Sequence, residues 1–128
     1  MIVVGYTNDQ YGLAAVDAAI AEAALRDTGL LIVNSTQGDS YVDAAFAHSR
    51  QVRDIEEHLR DCGVRYEVSQ PVGVYAADVL LEAMERPDAE LLVIGLRHRN
   101  PVGKLLLGSV AQQLLMECPK PVLAVKPG

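Results

Sequence analysis

Residues 93–115 read VIGLRHRNPVGKLLLGSVAQQLL. The stretch changes character twice. It opens as the end of ELLVIG (90–95), a nearly continuous apolar run closed by glycine, which predicts a strand covered on both faces. It ends inside GSVAQQLLMEC (108–118), where a Gly-Ser pair stands at the mouth of an apolar helix. Between them lies a loop carrying Arg97, His98, Arg99 and Lys104.

The same alternation runs outward in both directions. Toward the start, IVVGY (2–6) is a β-branched run ended by the turn-prone TNDQ. YGLAAVDAAIAEAALRDTG (11–29) follows, with Leu13, Val16, Ile20 and Ala24 at helical spacing and Gly29 placed to end the helix. LLIVNS (30–35) is a second doubly covered strand. Ser40 and Asp43 resemble a capping box that opens a long helix through Phe46, Val52, Ile55 and Leu59, stopped by Gly63. VRYEVSQ (64–70) alternates and is poorer in apolar residues, so it predicts an edge strand. VGVYAADVLLEAMERPD (72–88) gives a third helix with Val74, Ala77, Leu81 and Met84 on one face and Pro87 at its end. After the fourth helix, Pro119 and Pro121 lead into the last strand, VLAVK (122–126).

Five strands alternating with four helices, several strands continuously apolar, predict one α/β domain over 1–128: a parallel sheet with helices on both faces. Ligands of such sheets bind beyond the carboxyl ends of strands, where the strand order reverses. The ends of the first and fourth strands are the places to search.

Composition narrows the function. The chain has 128 residues, half apolar and 22% charged, as soluble globular domains do, and a net charge of −6. That balance argues against a general binder of nucleic acid or anionic membrane. No segment approaches the roughly twenty apolar residues of a membrane helix. The start, MIVVGYTNDQ, lacks the basic n-region of a secretory signal, so a cytoplasmic location is expected. Cys62 and Cys118 show no metal or redox spacing and read as small buried hydrophobes. His48 and His58, ten positions apart, are too far apart for a metal site at i, i+4 and read as helix-face residues.

Against this acidic background the loop after the fourth strand is unusual. Between Glu90 and Glu117 no Asp or Glu occurs, while Arg97, Arg99 and Lys104 do. Gly95 can admit a close backbone approach, and Gly108 and Ser109 open a helix whose unpaired N–H groups and dipole favour an anion. Singly, these are a turn, a cap and a solvated surface. Together, at the functional edge of a parallel sheet, they favour an anion site. Familiar phosphate and catalytic motifs do not fit. Lys104 is followed by Leu105, and His98 takes the first glycine position of a Walker loop. Neither G-x-G-x-x-G nor G-x-S-x-G occurs. A phosphoacceptor receiver would need an Asp after the third strand, where VSQPVG stands.

Gly95-Leu96-Arg97-His98, then nine residues, then Gly108-Ser109, resembles the G-x2-G-x9-G-[ST] pattern of universal stress proteins. LLVIG before the loop, LLLGSVAQQLL across the helix start and PVLAVK at the end match too, and the similarity extends over essentially the whole chain. It implies a flavodoxin-like, adenine nucleotide hydrolase-like three-layer domain with a five-stranded parallel sheet in the order 3-2-1-4-5. It also implies a homodimer through the C-terminal strand, and ATP or another adenine nucleotide as ligand, with or without Mg²⁺. The binding residues it implies are Thr7, Val33, Gly95, Arg97, His98, Arg99, Gly108, Ser109 and Val110.

Two positions depart from the ATP-binding branch. Its usual Asp after the first strand is Thr7 here, with Asp9 available as a substitute after a small loop shift and otherwise a solvated turn residue. Its middle glycine is His98. The phosphate half of the site is therefore expected to be kept and the adenosine half altered. A non-nucleotide dimeric scaffold is the alternative that Thr7 and His98 support. No general base is evident near the loop, so weak or no ATP hydrolysis is expected.

Overall fold

The computed structural model of the chain describes residues 1–34, 53–71, 73–96 and 108–127. In chain order the elements are β1 (Ile2–Gly5), α1 (Gln10–Arg26), β2 (Leu30–Val33), α2 (53–59), β3 (Tyr66–Ser69), α3 (Ala76–Met84), β4 (Leu91–Gly95), α4 (Ser109–Glu117) and β5 (Val122–Val125). The strands form one sheet in the order β3-β2-β1-β4-β5. Every pairing is parallel, with Ile2 opposite both Leu30 and Leu91 and Leu92 opposite Val122. This is the flavodoxin-like α/β arrangement. The proposed capping box at Ser40 and Asp43, Phe46, His48, Val52, and the loop residues Arg97, His98, Arg99 and Lys104 lie outside the described residues.

The period-two geometry of the strands sorts their side chains onto two faces. Ile2, Val4, Leu30, Ile32, Leu91 and Val93 pack with Val16, Ala19, Ile55 and Leu59 of α1 and α2. Val3, Leu31, Val33, Leu92 and Ile94 pack with Ala77, Leu80, Met84 and Leu114 of α3 and α4. The three central strands are therefore apolar throughout, each buried aliphatic side chain contributing about 1.5–3 kcal/mol. At the edge, β3 leaves Tyr66 and Glu67 exposed, as its alternating sequence predicts. Cys62 and Cys118 are half-buried, one against each cluster, and free.

Helix α1 differs from its expected orientation. Its core face is Gly12, Ala15, Val16, Ala19 and Ala23, whereas Leu13 and Ala24 are exposed. The small residues let the helix axis lie close over β1 and β4, which outweighs burying the bulkier Leu13. Nor does Gly29 end it. Asp27 takes the left-handed conformation at the C-cap (φ 53°, ψ 53°), its N–H reaching the carbonyls of Ala23 and Ala24. Asp is among the few side chains that tolerate that region. Gly63 does hold a positive φ, of 78°, after α2, as expected of a stop.

Helix α3 starts at Ala76, so Val74 stands before it, 38% exposed, and Leu80 takes the core position expected of Leu81. Past its C-cap Glu85, Lys120 Nζ donates to the carbonyls of Arg86 (2.7 Å) and Ala89 (2.6 Å). Helix α2 is fastened to α1 by His58 Nε2, 2.8 Å from Asp17 Oδ1. His58 is thus a helix-face residue with a partner.

Candidate functional site

Beyond the carboxyl ends of β1 and β4, where the chain order reverses, lies a cleft of about 310 Å³. Its apolar lining comes from the ends of the strands and from two helices: Val33, Ile94, Leu80 and Leu114 among others. Its polar lining comes from the turn after β1 and the start of α4.

The turn after β1 is held internally. Asp9, the N-cap of α1, accepts through Oδ1 from the N–H of Tyr11 (3.0 Å) and Gly12 (2.9 Å) and from the Thr7 hydroxyl (2.8 Å). Its own N–H donates to the Thr7 carbonyl at 2.8 Å. A Cβ on Gly12 would overlap that carbonyl, and a Cβ on Gly95 would overlap the carbonyl of Tyr11. Two glycines distant in sequence thus let the first turn of α1 settle onto both the turn and the end of β4. Tyr6 adds to this: its N–H donates to the Val33 carbonyl, and its hydroxyl donates to Asn8 Oδ1, both at 2.9 Å. Its ring is buried while its hydroxyl reaches a half-buried rim. Burial first, and then the negative charges of Asp54 and Asp9, hold the Tyr6 phenol above the ordinary tyrosine pKa.

The start of α4 is the reverse case. Gly108 is its N-cap, in an extended conformation (φ −63°, ψ 158°), and among the described residues no side chain caps the helix. The Gly108 carbonyl accepts from Gln112 N at 2.9 Å, so the N–H groups of Ser109, Val110 and Ala111 have no partner within the helix. All three residues line the cleft. Helix α3 likewise begins without a side-chain cap, and its first residue, Ala76, lines the cleft too. Two helices therefore turn their positive ends to this space, whereas α1 is closed by its own Asp9.

Of the residues expected at the site, Thr7, Val33, Gly95, Gly108, Ser109 and Val110 meet in the cleft. Arg97, His98 and Arg99 fall between Gly95 and Gly108, outside the described residues. Asp9 is half-buried, and its Oδ1 is engaged in capping α1. Gly95 borders the cleft and is also the place where α1 presses on β4. Tyr11, Ala76, Leu80, Ala111 and Leu114 also line the space and were not anticipated. For Tyr11 the signal was present, since a cap at Asp9 puts the first turn of α1 at the end of β1. Leu80 and Leu114 carry only the pattern of core residues. Among the described residues, no group of three or more His, Cys, Asp or Glu could hold a metal ion, and no helix is long and apolar enough to cross a membrane.

A model of the universal stress protein family matches residues 1–126. A universal stress protein of Mycolicibacterium smegmatis is 69% identical over 127 residues, covering 99% of this chain and 98% of that protein. The solved structure of a universal stress protein from Archaeoglobus fulgidus is similar with a TM-score of 0.81 at 30% identity, over 98% of this chain and 97% of that one. A universal stress protein solved in complex with cAMP gives a TM-score of 0.76 at 24% identity, over 99% and 96%.

Proposed function

The chain belongs to the universal stress protein family, and from that premise we propose that it binds ATP or a related adenine nucleotide in the cleft between β1 and β4. The observation that carries the reading is the start of α4, which has no side-chain cap among the described residues and whose first three residues line a cleft otherwise bordered largely by apolar side chains. One end of the space suits an anion and the other a flat, weakly polar ring. The cAMP complex of a relative with this fold is in keeping with it.

In this reading the phosphates lie over Gly108, Ser109 and Val110, with Arg97, His98 and Arg99 supplying charge, and the base lies toward Val33. Thr7 borders the space but brings no charge. No carboxylate or imidazole is among the described lining residues, so we assign the site to binding, as a nucleotide-responsive regulatory protein, with at most weak turnover. The outer edge of β5, which among the described residues pairs only with β4, is the surface we assign to a homodimer.

Calorimetric titration of nucleotide-stripped protein with ATP, ADP and AMP tests the proposal, together with the melting temperature. A ligand that binds only the native state must raise it. Heat on titration, weakening as phosphates are removed, and a raised melting temperature are expected. No heat and no shift would overturn the reading in favour of a dimeric scaffold, which the commitment of the Thr7 hydroxyl to Asp9 would then explain.

A further inference from the structure

We infer that Gly5 keeps the apolar end of the cleft open by giving Leu80 a place to lie against the sheet, so that this pair sets how deeply the base of a nucleotide enters. The inference rests on the adenine-nucleotide reading above and concerns what limits the ligand at its base end.

The register of the sheet puts Val33, Gly5 and Ile94 side by side at the carboxyl ends of β2, β1 and β4. Residues in one such row turn to the same face of the sheet. Here it is the face covered by α3 and α4, where Val33 and Ile94 are buried, and all three residues line the cleft. The middle place of the row has no side chain. Neighbouring strands lie about 4.8 Å apart, so Gly5 leaves a notch one strand wide between two branched walls.

Leu80 enters this notch from α3, one turn after Ala76, which lines the cleft as well. A Cβ on Gly5 would stand 3.0 Å from Leu80 Cδ1, 3.8 Å from its Cδ2 and 3.6 Å from Ile94 Cγ2. Favourable carbon contacts lie at about 3.5–4.0 Å, so only the first is too tight. The atom in conflict is the tip of a flexible side chain. It can give way, unlike the backbone carbonyls that press on Gly12 and Gly95. With Val33 and Ile94 standing on either side of the notch, the room open to Leu80 is the cleft that it already borders. A side chain at position 5 would therefore fill the notch and drive Leu80 into the volume of the ligand. Glycine does neither, so a residue of β1 governs the depth of the cleft through a leucine of α3.

The test is calorimetry of the full chain with ATP, with urea unfolding of the same variants. Gly5→Val is expected to weaken ATP binding about tenfold, the scale of one displaced side chain in a packed wall. Gly5→Ala asks less of Leu80 and is expected to weaken it about two- to threefold; it carries the test if the valine variant does not fold. Adding Leu80→Ala moves bulk from one side of the notch to the other and is expected to bring the affinity of Gly5→Val back to within about threefold of the unaltered protein. A glycine needed only for packing would lower the urea midpoint and leave the ATP affinity where it was. That outcome, or a double variant that binds ATP no better than its position-5 parent, would overturn the inference while leaving nucleotide binding in place. No binding of ATP by the unaltered protein would overturn the nucleotide reading itself, and the inference with it.

Discussion

Gly95, the last residue of β4, and Tyr11, in the first turn of α1, lie so close that no Cβ fits between the glycine and the tyrosine carbonyl. The Tyr11 Cβ itself would be 3.1 Å from such an atom. Gly95→Ala must therefore push α1 away from the sheet, at a cost of about 1–3 kcal/mol or more for an overpacked backbone contact. Gly12→Ala, aimed at the Thr7 carbonyl, is expected to cost at least as much. Urea unfolding midpoints of the two variants against the unaltered protein measure both.

Gly108 offers the contrasting case. Its backbone suits any L-residue, and among the described residues no atom lies within 4 Å of where a Cβ would stand. Gly108→Val is expected to cost no more than about 1 kcal/mol, the scale of exchanging a tolerated N-cap residue for a poor one. It should nonetheless abolish the nucleotide-dependent rise in melting temperature. A rise that survives would place the phosphates elsewhere.

Asp9→Ala removes an N-cap acceptor and the partner of the Thr7 hydroxyl together. The loss is expected to be about 0.5–2 kcal/mol, the range for helix N-caps. Asp9→Asn retains an acceptor and should lose only a fraction of that. Chemical denaturation of both variants at neutral pH separates the two contributions.

Tyr6 sets an alkaline limit on stability. Its phenol is held above the ordinary value of 10.0, chiefly by burial and further by Asp54 and Asp9. Below that value the tyrosine is protonated in folded and unfolded chains alike, and its contribution is fully present. As pH rises past it, the unfolded chain gives up the proton first, so stability falls until the folded-state pKa is passed. Tyr6→Phe is expected to flatten that alkaline decline, at a cost of about 0.5–1.5 kcal/mol at neutral pH for the lost Asn8 hydrogen bond. Denaturation midpoints from neutral to alkaline pH, with and without the substitution, check it.

What the sequence made legible follows from how local each feature is. Doubly covered strands such as Leu30–Val33 and Leu91–Gly95 announce themselves as unbroken apolar runs, and the exposed third strand shows itself by alternation. Strand order and the position of the cleft came with the fold. The orientation of α1 was harder, because its alanines become the core face only when the closeness of the sheet is known. Asp27 as a left-handed cap competes with a nearby glycine that looks the better stop. The reason for Gly95 depends on Tyr11, which is remote in sequence, and no local pattern reports such a contact. Leu80 and Leu114 border the cleft with side chains that any buried helix face would carry.

The cleft draws Thr7 from the turn after β1 and Ser109 from the start of α4, across the pairing of β1 with β4. During synthesis about a hundred further residues must be made before Thr7 and Ser109 can meet. The nascent chain cannot recruit a ligand to guide its early folding, and the long-range closure between β1 and β4 must be reached unaided. A ligand bound in the cleft would act afterwards, as a lock on finished molecules, raising the number that survive heat or proteases without altering how they are made.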